Sequence, residues 1–465
     1  MGKYKSLGRN SLYTFTGTFG SKIISFVMLP FYTHWLSVED FAITDIVTVY
    51  STLLISVATL SLQEAIFVFP SGKEKQQQNE YFTTALLFSL ASIFVVFLLF
   101  LCLELLSTYF TWNNVFMYNK WLVFGLFSIN YLQCFLQQFC RGVNKMLSYS
   151  ISGVLLTLFT VVFSFLFIPT KGVIGYIISI IFANLISILY ICIKEKIHTY
   201  LVDSSYSKQK LREMIKYSVP LIPNSVMWWI MTAINRPLLE SYVGVSAIGL
   251  YAVANKFPNI IASVFNIFNT SWQVSALQEY TTESFSSFYN KVGLLYLPIL
   301  ILSSSVLAVC SSSLIAIITP PDYYLAWKLV PILSFAIVFM GASGYTGSVF
   351  SASKNSKYYF YSSVCGVIIC VVANYLFIPF WGIMGAAISF SFSHFVVCAL
   401  RFYYASKLVI VDHINKYFLM CLVNIFQVLF ILNGYNNMGY LLLGLNILLF
   451  IFYNYTTIHY IFKRL

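Results

Sequence analysis

Runs of some twenty apolar residues follow one another along almost the whole chain, separated by short polar gaps. The hydrocarbon core of a bilayer is about 30 Å thick, and a helix crosses it with about 20 apolar residues. On that criterion spans lie near 11–35, 42–69, 81–106, 121–140, 149–168 and 173–193. A polar stretch at 194–216 intervenes, and further spans lie near 217–240, 247–273, 291–318, 325–350, 358–379 and 384–405. Two more fall near 417–433 and 439–461. The pattern predicts an all-α, polytopic membrane protein with about fourteen transmembrane helices. Only 9% of the 465 residues are charged, against roughly 25% in a soluble domain, so lipid and not water must solvate most of the surface. The first run continues to about Trp35 without a small-residue cleavage site, and it reads as a permanent span, not a cleavable signal peptide.

The net charge of +12 does not point to nucleic acid, because the basic residues sit in the gaps between spans. With the N-terminus cytoplasmic, the inner segments hold Lys73, Lys75, Arg141, Lys145, Lys194, Lys196, Lys208, Lys210, Arg212, Lys216, Lys354, Lys357, Arg401, Lys407, Lys416, Lys463 and Arg464. The outer loops hold only Lys120, Lys171 and Lys328. Positive residues stay inside, so both termini are expected in the cytoplasm. Trp35, Trp112, Trp121, Trp327 and Trp381 fall near the expected outer ends, where an interfacial aromatic belt would lie. The nine cysteines form no CxxC pair, and Cys102, Cys192, Cys370 and Cys398 lie inside apolar runs. They read as packed hydrophobes, so neither a metal site nor a disulfide framework is expected. The chain carries no phosphate-binding glycine loop, zinc-protease motif or nucleophile elbow. No cofactor and no enzymatic activity are expected.

An internal repeat organises the spans. Leu166-Phe167-Ile168-Pro169, followed by Gly172, Gly175, Ile178 and Ser179, recurs 210 residues later as Leu376-Phe377-Ile378-Pro379 with Gly382, Gly385, Ile388 and Ser389. A weaker echo pairs Leu36 to Thr44 with Val243 to Tyr251 at an offset of 207. Both copies of the first motif join the fifth and sixth spans of a set of six, so the two sets share one orientation and suit a transporter with parallel repeats facing a central cavity. The expected organisation is a six-helix bundle over 1–205, a second over 206–410, and two additional helices over 411–465.

Ionisable residues inside spans cost roughly 2.5–3.5 kcal/mol and usually face a cavity. Lys22 lies thirteen residues past Arg9, roughly 20 Å along the helix, with no acid three or four positions away. Arg236, with Glu240 four residues on, and Lys256, just before Pro258, also fall in spans. Lys22, Arg236 and Lys256 are candidates for a cationic cavity lining that would take an anionic headgroup such as a phosphate. Snorkelling for Lys22 and an Arg236–Glu240 ion pair are the bland alternatives. Asp45 and Glu64, both in the second span, are candidates for ion coupling. Glu104 reads as wet, and His34 and His394 as satisfied polar contacts. Pro30, Pro220, Pro223, Pro237, Pro258 and Pro298 predict kinks in the first, seventh, eighth and ninth spans.

Two stretches resemble a known family. Gly8-Arg9-Asn10-Ser11-Leu12-Tyr13, Pro30-Phe31-Tyr32-Thr33, Leu36-Ser37 and Glu39-Asp40-Phe41 resemble the start of the polysaccharide-export flippases of the multidrug/oligosaccharidyl-lipid/polysaccharide superfamily. So do Asn235-Arg236-Pro237-Leu238-Leu239, Gly244, Ile248-Gly249-Leu250-Tyr251, Ala254 and Lys256-Phe257, although many members carry Asp where this chain has Asn235. The resemblance implies a flippase that moves an undecaprenyl-diphosphate-linked oligosaccharide, often an O-antigen repeat unit, from the cytoplasmic to the periplasmic leaflet of the bacterial inner membrane. A polysaccharide polymerase and chain-length proteins would be partners, and the two extra helices a groove for the lipid tail. Two other readings stay open: a cation-coupled drug or solute antiporter of the same superfamily, and a membrane-embedded glycan polymerase or glycosyltransferase. The longest outer loop, roughly 107–120, carries no acid, which argues against the last.

Overall fold

The structure, a computed structural model, describes residues 20, 22–110, 114–201, 206–353, 355–412 and 414–462. The family-like motif at 8–13 lies outside these residues, as do Arg9, Trp112, Lys354, Lys463 and Arg464. Among the described residues there is no strand, and fifteen α-helices follow one another. The chain divides into two compact units, the first ending at Trp229 and the second beginning at Ile230.

The first unit holds α1 (Leu29–Trp35), α2 (Val38–Ala58), α3 (Leu62–Val68), α4 (Lys75–Phe110), α5 (Val115–Gly142), α6 (Met146–Lys194) and α7 (Lys208–Ser218). α8 (Ile222–Ala233) carries the boundary. The second unit holds α9 (Asn235–Tyr242), α10 (Val245–Glu279), α11 (Phe285–Ile318), α12 (Leu329–Ala352), α13 (Ser356–Ala405), α14 (Ile414–Leu432) and α15 (Asn436–Phe462). Nine of the described helices are long and apolar enough to cross a membrane. α6 and α13, at 49 and 50 residues, would each reach about 75 Å if straight. Each is instead a hairpin of two spans. Ser187 Oγ donates to the carbonyl of Ser152 at 3.1 Å, and the rings of Phe163 and Phe182 lie 5.7 Å apart. In α13, Tyr358 stacks on Tyr404 at 4.6 Å. Counting those hairpins twice gives eleven crossings among the described residues, α5 and the α8–α9 pair make thirteen, and most of the first expected span lies outside the described residues.

The repeat motif marks both hairpin turns. Gly172 (φ 53°, ψ −127°) and Gly382 (φ 54°, ψ −131°) adopt the same left-handed backbone, which glycine enters without a side-chain penalty. Three residues on, a Cβ on Gly175 would run into the carbonyl of Phe167, and one on Gly385 into that of Phe377. Ser179 and Ser389 then donate to the carbonyls of Gly175 and Gly385 at 2.7 and 2.8 Å. The fainter echo also has a structural counterpart: α2 starts at Val38 and α10 at Val245, 207 residues later.

α5 forms the centre of the first unit. Val123, Leu126, Phe127, Tyr131, Phe135 and Phe139 are fully or almost fully buried along one stripe, packed with Phe82, Leu62 and Ile66. α12 plays that part in the second unit, where 20 of its 24 residues are buried. Gly341, Gly344 and Gly347 let three neighbours press onto it: a Cβ there would meet Leu300 at 2.9 Å, Asn269 at 2.8 Å and Tyr359 at 2.9 Å, respectively.

The second span is not one rod. It stops at Ala58 and resumes at Leu62, because Leu60 and Ser61 sit in the left-handed region (φ 53° and 52°). The turn is well satisfied: Ser61 N–H donates to the Ser56 carbonyl at 3.0 Å and Leu62 N–H to Thr59 at 3.1 Å. The seventh span is segmented too, into a 3₁₀ turn at Val219–Leu221, α8 and α9, where Pro220, Pro223 and Pro237 lie. Pro258 and Pro298 sit inside the otherwise continuous α10 and α11.

Candidate functional site

In the first unit Lys22 lies on a helical turn and is exposed. No ion pair among the described residues involves it. Asp45 lies half-buried on α2, within electrostatic reach of Tyr176. Around Tyr176 the first, fifth and sixth spans converge: its ring meets Tyr32 edge-on at 5.3 Å, and the Tyr32 hydroxyl shares a hydrogen bond with Ser164 Oγ at 3.3 Å. Glu64 is elsewhere. It sits in the first turn of α3, exposed, just beyond the left-handed turn and within electrostatic reach of Cys134. The two acids of the second span thus lie on different helices with different neighbours.

In the second unit Arg236 and Lys256 differ in kind. Arg236 is buried at the start of α9. Its Nη1 donates to Asn235 Oδ1 at 2.8 Å and to the Thr232 carbonyl, and its guanidinium lies 5.3 Å from the Tyr251 ring centre. Asn235 therefore orients the guanidinium as an aspartate would, but an amide does not neutralise the charge. Lys256 is exposed on α10, one turn beyond Tyr251. The first unit thus holds Lys22, Asp45 and Glu64, and the second Arg236 and Lys256.

Two basic residues expected at span ends fold back onto the protein. Lys120 lies inside α5, 7% exposed. It pairs with Glu104 at 3.0 Å and donates to the Met117 carbonyl at 3.0 Å, while Trp121 Nε1 donates to the same Glu104 carboxylate at 3.0 Å. Glu104 is accordingly a partner and not merely a wet acid. Arg401, expected at an inner span end, is 2% exposed within the second unit. Its Nε donates to Ser362 Oγ at 3.1 Å, Nη1 to the Ser343 carbonyl at 3.0 Å and Nη2 to Ser363 Oγ at 3.3 Å. The guanidinium lies 3.9 Å from the centre of the Tyr359 ring. No carboxylate pairs with it among the described residues. Arg401 binds the two arms of the α13 hairpin to α12. The sequence signal that marks it is the spacing Gly341, Gly344, Gly347, since the last of these leaves room for both Tyr359 and Arg401. His394, two turns earlier on the same helix, is buried with the Phe390 ring edge-on at 4.6 Å.

Beyond the span ends, Lys145 pairs with Glu195, which also accepts from Ser148. Burial acts to lower the Lys145 pKa, but the hydrogen bonds to Glu195 and Tyr200 outweigh it and hold the value above the usual lysine range. Among the described residues no group of His, Cys, Asp and Glu could hold a metal ion. The arrangement is one of fixed charges and interrupted helices. It offers buried and exposed cations on helices, the acids Asp45 and Glu64 on α2 and α3, and breaks at Leu60–Ser61 and Val219–Leu221.

These features define a polytopic α-helical membrane protein in which one hairpin turn recurs 210 residues on. The chain belongs to the polysaccharide biosynthesis protein family, whose pattern matches residues 7–274, more than half of the chain. No curated protein matches it by sequence. Its fold is similar to that of the lipid II flippase MurJ in an inward closed conformation, at 16% identity and a TM-score of 0.68, covering 97% of this chain and 99% of that one. It is also similar to a mutant of the Vibrio cholerae MATE transporter VcmN (14% identity, TM-score 0.61, 88% of this chain and 98% of that one). A third similar structure is an inward-facing multidrug resistance MATE family transporter of the MOP superfamily (13%, 0.63, 82% and 94%). At these identities the likeness establishes a shared fold.

Proposed function

We propose that this protein is a flippase that carries an undecaprenyl-diphosphate-linked oligosaccharide, an O-antigen or related polysaccharide repeat unit, from the cytoplasmic to the periplasmic leaflet of a bacterial inner membrane by alternating access. The observation that carries the reading is membership of the polysaccharide biosynthesis family in a chain whose fold is shared with a lipid II flippase. The physics is consistent. The diphosphate needs cationic partners, the glycan needs a wet cavity, and the prenyl tail can stay in lipid. In this reading two six-helix bundles, 1–205 and 206–410, flank the cavity, and the helices of 411–465 stand beside it. Lys22, Arg236 and Lys256 line it and contact the diphosphate, and Asp45 or Glu64 takes up the coupling ion. Both termini lie in the cytoplasm, and a polysaccharide polymerase and chain-length proteins act on the product.

The second reading is a cation-coupled antiporter, favoured by the fold shared with MATE transporters. Deleting the protein in its own cell separates the two. The flippase reading expects lipid-linked oligosaccharide to accumulate on the cytoplasmic leaflet while surface glycan is lost. Normal surface glycan with increased sensitivity to cationic drugs would support the antiporter.

A further inference from the structure

The polar stretch after the sixth span is not a slack linker. It runs into α7, eleven residues whose apolar side is buried and whose Lys210 and Glu213 side chains are tied to α4. Met214 and Ser218 are buried and Leu211 and Ile215 half-buried. Lys210 pairs with Glu80 and stands 4.6 Å from the Tyr81 ring centre. The Tyr81 hydroxyl donates to Glu213 at 3.0 Å, Ser207 N–H donates to Thr84 Oγ1 at 3.0 Å, and Tyr217 meets Phe69 edge-on at 5.8 Å. The helix is thereby fixed in rotation.

That fixed rotation leaves Lys208, Arg212 and Lys216 exposed. They recur at every fourth position, so they form a single stripe about 12 Å long. No carboxylate pairs with any of them among the described residues. Like charges four apart destabilise a helix. The stripe therefore carries an internal cost that an anionic partner would remove. Tyr206 and Tyr217, 51% and 41% exposed, flank it, and tyrosine is a residue of the headgroup level. The helix is too short and too polar to cross the bilayer. It packs against α3 and the first turns of α4, at the ends of spans.

We infer that α7 is a lipid-docking element: its Lys208–Arg212–Lys216 stripe binds the anionic phospholipid headgroups of the leaflet it lies on and so holds the first unit at a set depth and tilt. This goes beyond the transport reading and does not depend on which substrate is carried. The orientation proposed above would make that leaflet the cytoplasmic one. A membrane is the partner that best fits a stripe flanked by tyrosines and placed at span ends. Each Lys or Arg near an anionic surface changes partition about fivefold.

The test uses the full chain with a photoreactive benzophenone amino acid at Gln209, an exposed position beside the stripe. The protein is reconstituted in vesicles of phosphatidylcholine alone or of phosphatidylcholine with phosphatidylglycerol. Crosslinks to phosphatidylglycerol should exceed those to phosphatidylcholine severalfold after correction for mole fraction, and the excess should shrink as salt is raised. The variant K208Q/R212Q/K216Q, which leaves Lys210, Glu213 and Tyr217 in place, should abolish the preference, and K208R/K216R should keep it. Equal yields with the two lipids would overturn the inference. So would loss of the phosphatidylglycerol crosslink on adding inorganic phosphate at constant ionic strength, which would mark a site for free phosphate. A dominant crosslink to another protein in native membranes would likewise overturn it. The salt dependence is read on the chain with its natural stripe, so the test stands even if the triple variant folds poorly.

Discussion

Lys22→Ala should lower glycan export about ten- to a hundredfold, the loss expected when one hydrogen bond to a charged group is removed, while the protein stays in the membrane at its normal level. The argument begins with cost. A lysine inside a span, here thirteen residues past Arg9, is penalised by roughly 2.5–3.5 kcal/mol. Lys22 is exposed, and none of the ion pairs among the described residues neutralises it. In the proposed flippase, water and, once per cycle, an anionic headgroup would compensate it. Lys22→Arg should keep part of the activity, because a mobile diphosphate asks more for charge than for one fixed geometry. Surface glycan measured beside protein abundance checks this. Normal export in Lys22→Ala, or export lost only because the protein disappears, would make the residue structural.

Arg401→Ala should cost the second unit about 3–5 kcal/mol, the range for emptying a large buried side chain. Three hydrogen bonds and the Tyr359 contact vanish together, and the void opens where α12 meets both arms of the α13 hairpin. Arg401→Lys should lose less, since it keeps the charge but cannot reach Ser362, Ser363 and the Ser343 carbonyl with one fork. Thermal unfolding of the purified protein in detergent gives the ranking: wild type, then Lys, then Ala. An alanine variant as stable as wild type would show that the clamp contributes nothing to the fold.

Much of the architecture was legible because lipid imposes a length rule. Twenty apolar residues make a span whatever their order, so the crossings could be counted from hydropathy alone. The hairpin turns were legible for a second reason: Gly172 and Gly382 adopt a backbone that other residues avoid, so the same tetrapeptide and glycine spacing had to appear twice. Where a break needs no special residue, the sequence is silent. Leu60 and Ser61 enter the left-handed region without a glycine, and the apolar run from 42 to 69 hid the turn between α2 and α3. With the structure in hand, Gly142 is the trace of it, because a Cβ there would strike the Phe67 carbonyl, at 2.6 Å.

The candidate site was legible only in part, and the reason is again physical. Hydropathy assigns a charge by its distance from a span end, which cannot distinguish a lysine in water from one folded back onto the protein. Lys120 and Arg401 are examples: the first is paired with Glu104 and the second held by serines and a tyrosine. Arg236 stands out in the sequence because it lies inside an apolar run, but its hydrogen bond to Asn235 appears only in the geometry. The polar stretch 194–216 set the expected boundary between the two sets of spans. It did not announce that Lys208–Ser218 is a helix bolted to one of them.

Transport by the purified protein tests the central claim most directly. The protein is reconstituted into vesicles with a fluorescent polyprenyl-diphosphate oligosaccharide, and the labelled glycan reaching the opposite leaflet is followed by its accessibility to a membrane-impermeant reagent. The account predicts time-dependent translocation that needs the protein and falls in Lys22→Ala. Vesicles in which the lipid-linked glycan stays on its original leaflet, while the same protein exchanges a cationic drug for protons or sodium, would contradict it.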